Sequence, residues 1–227
     1  MMDKTKFIKS SIKYKGKFLS YYENEFEINN IKNNNKISWE CVDYNSKIEN
    51  PSLANAISII PIFSKSKKFL IIGVFRYPVQ KYSLEFPSGL IDKEDFLNSK
   101  DFSETLIKSA LRELKEETGY LGTFKKFLTP NGLSLDEQIK LSSNIFYDPW
   151  KSRDNCVRIL VEINEEDEKN KKESVKQNLD ECEIIQTFSI EKNNLLNFIK
   201  DKILKDNYTC STELYNFALG IELNNLL

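Results

Sequence analysis

Apolar and polar positions form short alternating runs along the first part of the chain, and this pattern predicts β-strands. Two runs within residues 17–44 flank the polar segment NNIKNNNK (29–36) and predict strands of an antiparallel meander joined by a turn. The next two runs, AISIIPIF (56–63) and FLIIGVFRY (69–77), are rich in β-branched residues and are separated by polar residues. We therefore expect two adjacent strands that are buried on at least one face.

A helical pattern extends from about Ser103 to Thr118, after the glycine-bearing segment EFPSGLID and a polar stretch. Apolar residues recur there at three- and four-residue spacings and share one helix face: Leu106, Ile107, Ala110, Leu111 and Leu114. Ser103 is the predicted N-cap, and Gly119 is the predicted left-handed residue that ends the helix.

After this helix, apolar runs predict further strands, and two helical patterns close the chain. The runs are NIFYDP, CVRILVEI and EIIQTFSI, and the helices are expected near 191–206 and 211–223. The charged segment 165–181 predicts a long loop between the last two strands. Strands before and after a central helix, followed by helices, are typical of a mixed α/β layered domain.

Charge and cysteine content narrow the classes of partner and compartment. Lysine and arginine total 33 against 34 acidic residues, a net charge of -1, so no overall field favours nucleic acid or an anionic membrane. No apolar stretch approaches the ~18 residues of a membrane span, and the N-terminus MMDKTKFIKS lacks the apolar block of a signal peptide. The cysteines are scattered without a CxxC pair, so we expect a reducing compartment, the cytoplasm with the nucleus as the alternative.

The absence of histidine excludes several kinds of chemistry. Ser-His-Asp and Cys-His catalysis, His-ligated zinc and histidine general bases all need this side chain. Acid–base or metal chemistry in this chain must therefore use carboxylates, lysine, tyrosine or water.

The segment RELKEETG (112–119) places three glutamates on one face of the predicted helix: Glu113, Glu116 and Glu117. One interpretation is a solvated acidic face that Arg112 and Lys115 partly screen. The other is a site for divalent cations, because Mg²⁺ prefers oxygen ligands and is commonly shared between carboxylates and substrate phosphates. Gly89 favours the cation site, since a glycine lets the backbone approach closely and the carbonyl of Ser88 can then complete the ligand shell.

These residues resemble the Nudix box, which is a glycine, five residues, a glutamate, seven residues and then Arg-Glu-aliphatic-x-Glu-Glu-x-Gly-aliphatic. The second half is matched by Arg112, Glu113, Leu114, Glu116, Glu117, Gly119 and, in the last place, Tyr120. The spacing to Arg112 selects Glu104 as the first box glutamate, but Gly89 then lies nine residues too far away. Asp95 stands at the usual distance from Gly89 and at the wrong distance from Arg112, so we interpret residues 93–102 as a loop insertion.

The resemblance extends to the ADP-sugar pyrophosphatase branch of the Nudix hydrolases. Residues 75–92 are similar to the region that distinguishes this branch, and residues 147–155 resemble its proline turn, with Trp150 where a glycine is usual. The resemblance implies a Nudix-type α/β/α sandwich with a mixed sheet at 49–227 and a small antiparallel β unit at 1–48.

The implied activity is the Mg²⁺-dependent hydrolysis of the pyrophosphate of ADP-ribose or a related ADP-sugar to AMP and a sugar phosphate, with Mn²⁺ as a substitute metal. The resemblance also implies a homodimer in which the N-terminal unit is exchanged between subunits. Two alternatives stay open. One is a Nudix hydrolase of another nucleotide, such as a GDP-sugar or a dinucleoside polyphosphate; the other is a non-catalytic nucleotide-sensing module in which the insertion displaces Gly89 from the metals.

The helix and the resemblance together suggest the catalytic and metal-binding residues. The predicted metal ligands are Ser88, Glu113, Glu116 and Glu117. Glu104 lies about 180° around the helix from Glu113, which disfavours a ligand role and permits pairing with Arg112. Glu116 and Arg112 are further expected in catalysis, and the resemblance implies Glu183 as the general base, with Glu181 as its substitute.

The substrate-binding residues come from two parts of the chain. Arg76 ends a hydrophobic strand, a placement suited to a phosphate, and Glu85 follows in the same distinguishing region. The resemblance implies that Trp39 and Phe18 stack on the nucleobase, and core packing is the alternative role for Phe18.

Overall fold

The computed structural model describes residues 5–28, 36–45 and 54–227. The chain divides into two compact units, one made of residues 1–55 and 140–156 and the other of residues 56–139 and 157–227. The predicted boundary between residues 48 and 49, and almost all of the predicted turn at 29–36, lie outside the described residues.

The first unit contains a three-stranded antiparallel meander in the order β1-β2-β3. Its strands are β1 (Thr5–Lys15), β2 (Leu19–Ile28) and β3 (Lys36–Tyr44). The sequence pattern predicted β2 and β3 but not β1, whose lysines and serines obscure its alternation. Residues 140–156 also belong to this unit, where the amide of Val42 donates to the carbonyl of Lys151 at 2.9 Å.

The second unit is built on one mixed sheet in the order β11-β6-β5-β4-β9-β8, with β7 paired to β4 and β10 paired to β5. The strands are β4 (Ala56–Phe63), β5 (Phe69–Arg76), β6 (Lys81–Glu85), β7 (Ser88–Leu90), β8 (Gly122–Phe127), β9 (Cys156–Ile163), β10 (Ile185–Ile190) and β11 (Thr209–Cys210). The pair β11 and β6 is parallel, and the pair β5 and β6 is antiparallel. The expected adjacency of the two apolar strands is confirmed, because β4 pairs with β5.

The helices are α1 (Lys93–Leu97), α2 (Phe102–Thr118), α3 (Leu135–Ser142), α4 (Leu195–Asp206) and α5 (Thr212–Leu226). Of these, α2, α4 and α5 pack against the sheet. Phe69 and Ile71 of β5 share a core with Ile199 of α4 and Leu214 of α5. The helix α2 packs against β4, β7 and β8. The predicted mixed α/β fold with a small antiparallel unit is confirmed.

Three local predictions are corrected. Helix α2 begins at Phe102, because the side chain of Asp101, and not that of Ser103, accepts from the amide of Glu104 at 2.9 Å. The run NIFYDP forms no strand beyond one isolated bridge, between Phe146 and Asn155. The connection before α2 is not only a loop, since it contains the short helix α1. Gly119 does end α2 in the left-handed conformation, with φ of 78°.

No helix within the described ranges is both long and apolar enough to cross a membrane.

Candidate active site

The short strand β7 presses the backbone of Gly89 against the acidic face of α2. A Cβ atom added to Gly89 would lie 2.1 Å from Cδ of Glu113, a distance that no side chain tolerates. Pairing of Gly89 with Ile57 of β4 holds the strand in this position. Gly89 and the acidic helix are therefore in contact, although the connection between them is nine residues longer than in the Nudix box.

Glu117 is the most deeply buried of the three clustered glutamates. It is 4% exposed and lies among the buried residues of α2, which include Leu114. The amide of Ser88 donates to its Oε2 atom at 2.9 Å. The structure thus brings Ser88 and Glu117 together through an amide, and the role of the Ser88 carbonyl as a metal ligand stays a prediction.

Arg112 links the other two glutamates to the connection that precedes α2. Its Nη1 atom donates to Glu113 at 2.8 Å and to Glu116 at 2.9 Å. Its Nε atom donates to Asp95 at 3.0 Å, and Nη2 lies 3.3 Å from a carboxylate oxygen of Asp92. The predicted residues Arg112, Glu113 and Glu116 therefore form one ion-pair network.

Asp95 belongs to this network, although the spacing to Arg112 had selected Glu104 as the first acidic residue of the box. The signal was present, because Asp95 stands at the usual distance from Gly89. Glu104, which the spacing to Arg112 selected, lies elsewhere: its carboxylate accepts from the amide of Lys100 at 2.8 Å and pairs with Lys108 at 3.1 Å. The structure does not bring Glu104 to the other predicted acids.

The electrostatics of the acidic face favour a bound cation. Burial raises the pKa of Glu113 to about 7, although Arg112 opposes this shift. Burial, and next the charge of Glu113, raises the pKa of Glu117 well above its ordinary value. Burial lowers the pKa of Arg112, but the neighbouring charges of Glu113 and Asp95 raise it by more, so the net shift is upward and the guanidinium stays protonated. Carboxylates this buried and this close to one another are stabilised by additional positive charge.

The charged segment 165–181 is attached to the last turn of α2. The amide of Asn178 donates to the carbonyl of Glu116 at 2.8 Å, and Nε2 of Gln177 donates to the carbonyl of Glu117 at 2.5 Å. These donors satisfy carbonyl groups that a helix end leaves open. The segment leads directly to Glu183, whose charge raises the pKa of both Glu113 and Glu117. The predicted general base therefore lies within electrostatic reach of the acidic face.

Arg76 and Glu85 form a bidentate ion pair across β5 and β6. Nε of Arg76 donates to Glu85 at 3.0 Å, and Nη2 donates to its second oxygen at 2.7 Å. The side chain of Glu85 is 16% exposed and that of Arg76 is 47% exposed. The charge of Arg76 also lowers the pKa of Glu117, so this cation is near the acidic face.

The aromatic residues predicted to bind the base lie in the first unit. Trp39 is 52% exposed, and its Nε1 atom donates to the carbonyl of Trp150 at 2.7 Å. The two tryptophans line one pocket of about 410 Å³. Phe18 is 68% exposed, with the ammonium of Lys17 4.9 Å from its ring centre. The core-packing alternative for Phe18 is therefore disfavoured, and stacking on the base stays a prediction.

The acidic face fits a divalent cation by its chemistry. Its donors are carboxylate oxygens, which Mg²⁺ prefers, and Gly89 leaves room beside Glu113 that a Cβ atom would fill. The described residues contain no group of three acidic or cysteine side chains already arranged as a metal site. In this structure Glu113 and Glu116 instead form ion pairs with the guanidinium of Arg112.

Comparisons with known proteins find relatives that are named as Nudix hydrolases and as nucleotide pyrophosphatases. No protein-family model matches the sequence. An uncharacterized Nudix hydrolase of Schizosaccharomyces pombe is 29% identical over 81% of this chain and 77% of its own length. The ADP-sugar pyrophosphatase of Mus musculus is 27% identical over 83% of this chain and 75% of its own length. The ADP-ribose pyrophosphatase of Saccharomyces cerevisiae is 31% identical over 69% of this chain and 57% of its own length.

A solved structure shows the same fold. The crystal structure of an ADP compounds hydrolase superposes with a TM-score of 0.55, covering 100% of this chain and 97% of that chain, at 15% identity. The chain therefore shares the fold of that hydrolase, a mixed sheet covered by helices. The predicted resemblance to Nudix hydrolases and ADP-sugar pyrophosphatases is thereby confirmed.

Proposed function

We propose that this protein is a Nudix hydrolase that uses Mg²⁺ to cleave the pyrophosphate of ADP-ribose or a related ADP-sugar, giving AMP and a sugar phosphate. The observation that carries the proposal is the contact of Gly89 with Glu113 beside the buried carboxylate of Glu117. The names of the mouse and yeast relatives support the substrate class. The sensing-module alternative needed Gly89 to be displaced from the acids, and this contact speaks against it.

The residues of the chain have separate parts in the proposed reaction. Glu113, Glu116 and Glu117 would hold the metal, which supplies charge neutralisation for the pyrophosphate and activation of water. Glu183 accepts the proton of the attacking water as the new bond from oxygen to phosphorus forms. The bond from phosphorus to the bridging oxygen then breaks, and the second phosphate leaves with that oxygen.

Arg76 is the proposed phosphate-binding residue of the chain. Its guanidinium can make paired hydrogen bonds to phosphate oxygens, and the bidentate contact with Glu85 fixes its orientation. Glu85 thus takes part in substrate binding through Arg76. The positive charge of Arg76 next to the acidic face suits a substrate that brings phosphate oxygens to a metal.

The first unit is proposed to bind the nucleobase and to form a homodimer contact. Trp39 offers an exposed ring for stacking, which tolerates different bases. The meander also exposes apolar side chains, including Phe7 at 55% and Ile12 at 56%. Exposed apolar residues grouped on a small sheet favour association with a second copy. Light scattering of the purified protein would give the mass of a dimer, and the mass of a monomer would contradict this part of the proposal.

The proposed function is tested by incubating the purified protein with Mg²⁺ and a panel of nucleotides. We expect AMP and ribose 5-phosphate from ADP-ribose, and loss of this release when EDTA removes the metal. Faster hydrolysis of a GDP-sugar or a dinucleoside polyphosphate would change the substrate class. Binding of all nucleotides without hydrolysis would contradict the proposal. In the same assay Glu183→Gln should lose turnover and Glu181→Gln should keep it, and the reverse result would move the general base to Glu181.

A further inference from the structure

The loop that carries the proposed general base, residues 180–184, is held by hydrogen bonds and not by core packing. All five of its residues are exposed, and the next residue, Ile185, is buried at the start of β10. Within this base loop, the amide of Glu183 donates to the carbonyl of Asp180 at 3.0 Å. The amide of Asp180 in turn donates to the Glu183 carboxylate at 3.1 Å. Backbone contacts therefore decide where Glu183 lies.

The base loop continues the path of β10 along β5. These strands are antiparallel, and their register pairs Ile185 with Val74. Two residues further along, the same register places Glu183 opposite Arg76. Residues that lie opposite each other on antiparallel strands are close neighbours. The proposed general base and the proposed phosphate-binding residue are therefore brought together by the end of β5.

The residues before and after Arg76 both hold the base loop. The amide of Phe75 donates to the carbonyl of Ile184 at 3.0 Å. The hydroxyl of Tyr77 donates to the carbonyl of Cys182 at 3.1 Å. These two acceptors flank the general base. The rings of Phe75 and Tyr77 pack edge to face with their centroids 5.3 Å apart, which restricts the direction of the hydroxyl. A side-chain hydroxyl thus extends the attachment of the base loop beyond the last backbone bond to β5.

We propose that Tyr77 is a positioning residue whose hydroxyl holds the base loop, so that Glu183 stays opposite Arg76 and directed at the attacking water. Because Tyr77 follows Arg76 in the chain, the same end of β5 then places both the phosphate and the base. Without the hydroxyl, the base loop keeps its bond to Phe75 but loses the bond at Cys182, and the carboxylate occupies a wider range of positions. This inference rests on the proposed function, with Glu183 as the general base.

Tyr77→Phe removes only the hydroxyl and keeps the ring that packs on Phe75. Steady-state kinetics with ADP-ribose at saturating Mg²⁺ should show kcat lowered about fivefold, as for one lost hydrogen bond, with KM within about twofold of wild type. Tyr82→Phe is the matched control, because it removes a hydroxyl from another ring that packs on Phe75. It should leave both constants unchanged. An unchanged kcat for Tyr77→Phe, or a rise in KM alone, would overturn the positioning role.

The same substitution in the Glu183→Gln background separates positioning from a general structural role. If Tyr77 acts through Glu183, its hydroxyl has little left to position there, and Tyr77→Phe should lower the residual kcat less than about twofold. An equal loss in the two backgrounds would show that Tyr77 acts independently of Glu183 and would overturn the inference. Full activity of Glu183→Gln alone would overturn it as well, because the general base would then be another group.

Amide hydrogen exchange tests the attachment of the base loop without substrate or metal. The amides of Asp180 and Glu183 should exchange about fivefold faster in Tyr77→Phe than in wild type or Tyr82→Phe. Equal exchange in all three proteins would overturn the inference even if the enzyme is active. Faster exchange in a protein whose wild type does not hydrolyse ADP-ribose would instead show that the proposed function is wrong, and Tyr77 would then hold the loop without a part in catalysis.

Discussion

The two ends of α2 carry the same type of residue in opposite environments. Near the N-terminal end, Glu104 has a side chain that is 36% exposed and pairs with Lys108 one turn away. Near the C-terminal end, Glu117 is 4% exposed and contacts the amide of Ser88 from another element. An exposed pair of this kind contributes little to stability, whereas a buried carboxylate beside other carboxylates needs a compensating charge. Burial and the approach of β7, more than residue type, distinguish the site end of the helix.

The largest expected effect comes from removing the buried charge. Glu117→Gln keeps the size of the side chain and an oxygen that can accept from Ser88, but it removes the charge proposed to bind metal. We expect the kcat/KM for ADP-ribose to fall at least about a hundredfold, as for a lost metal contact. Steady-state assays at saturating Mg²⁺ measure this ratio. A fall of less than about threefold would show that the buried end of α2 is no more important for activity than the exposed end.

Gly89→Ala tests the contact between strand and helix with a smaller expected effect. The added methyl group must displace either β7 or the carboxylate of Glu113, which would lie 2.1 Å from it. A shift on the order of 1 Å in such a site is expected to lower kcat about tenfold or more. Gly220→Ala in α5 is the control, because nothing lies within 4 Å of the new atom. Equal activity of the two alanine variants would show that the close approach has no part in the reaction.

Glu104→Gln should have the smallest effect. Its contacts with Lys100 and Lys108 are local to the N-terminal turn and the residues just before it. We expect kcat/KM to change less than about twofold and the stability to change by at most about 0.5 kcal/mol. The same assays and thermal melts measure both. A loss of kcat/KM comparable to that of Glu117→Gln would show that Glu104 takes part in the reaction, and the two helix ends would then not differ in function.

The sequence predicted the acidic end of α2 well, because that end depends on local spacing. The stripe through Leu106, Ala110 and Leu114 set the helix face, and the box residues fell on consecutive turns of a single helix. Gly119 at its end was predictable for the same reason, since a left-handed helix end favours glycine. Spacing inside one rigid helix is preserved in three dimensions.

Other features depended on contacts between distant parts of the chain. Spacing selected Glu104 when counted from Arg112 and Asp95 when counted from Gly89, and only the path of the connection through α1 shows that Asp95 is the acid that contacts Arg112. The attachment of segment 165–181 to α2 rests on Gln177 and Asn178, which have no local pattern. The placement of residues 140–156 with the N-terminal meander is likewise a long-range pairing that periodicity does not report.

The acidic face has a definite consequence for stability in the absence of metal. The pKa of Glu117 is raised in the folded state, mainly by burial. A carboxyl group with a raised folded pKa contributes stability that is present below its unfolded pKa and is lost as the pH rises through the folded value. The metal-free protein therefore loses stability as the pH rises, because the carboxyl group must ionise in a buried position, whereas at low pH the protonated group resembles glutamine.

The most direct test of the metal site is the melting temperature of wild type and Glu117→Gln at pH 8, with and without Mg²⁺. Without metal, the variant should melt about 2–4 °C above wild type for each ~1 kcal/mol of relieved burial cost, and this difference should shrink at pH 5. Addition of Mg²⁺ should stabilise wild type and leave Glu117→Gln nearly unchanged. A variant that melts below wild type without metal, or that gains as much stability from Mg²⁺ as wild type does, would contradict the assignment of Glu117 as the centre of a cation site.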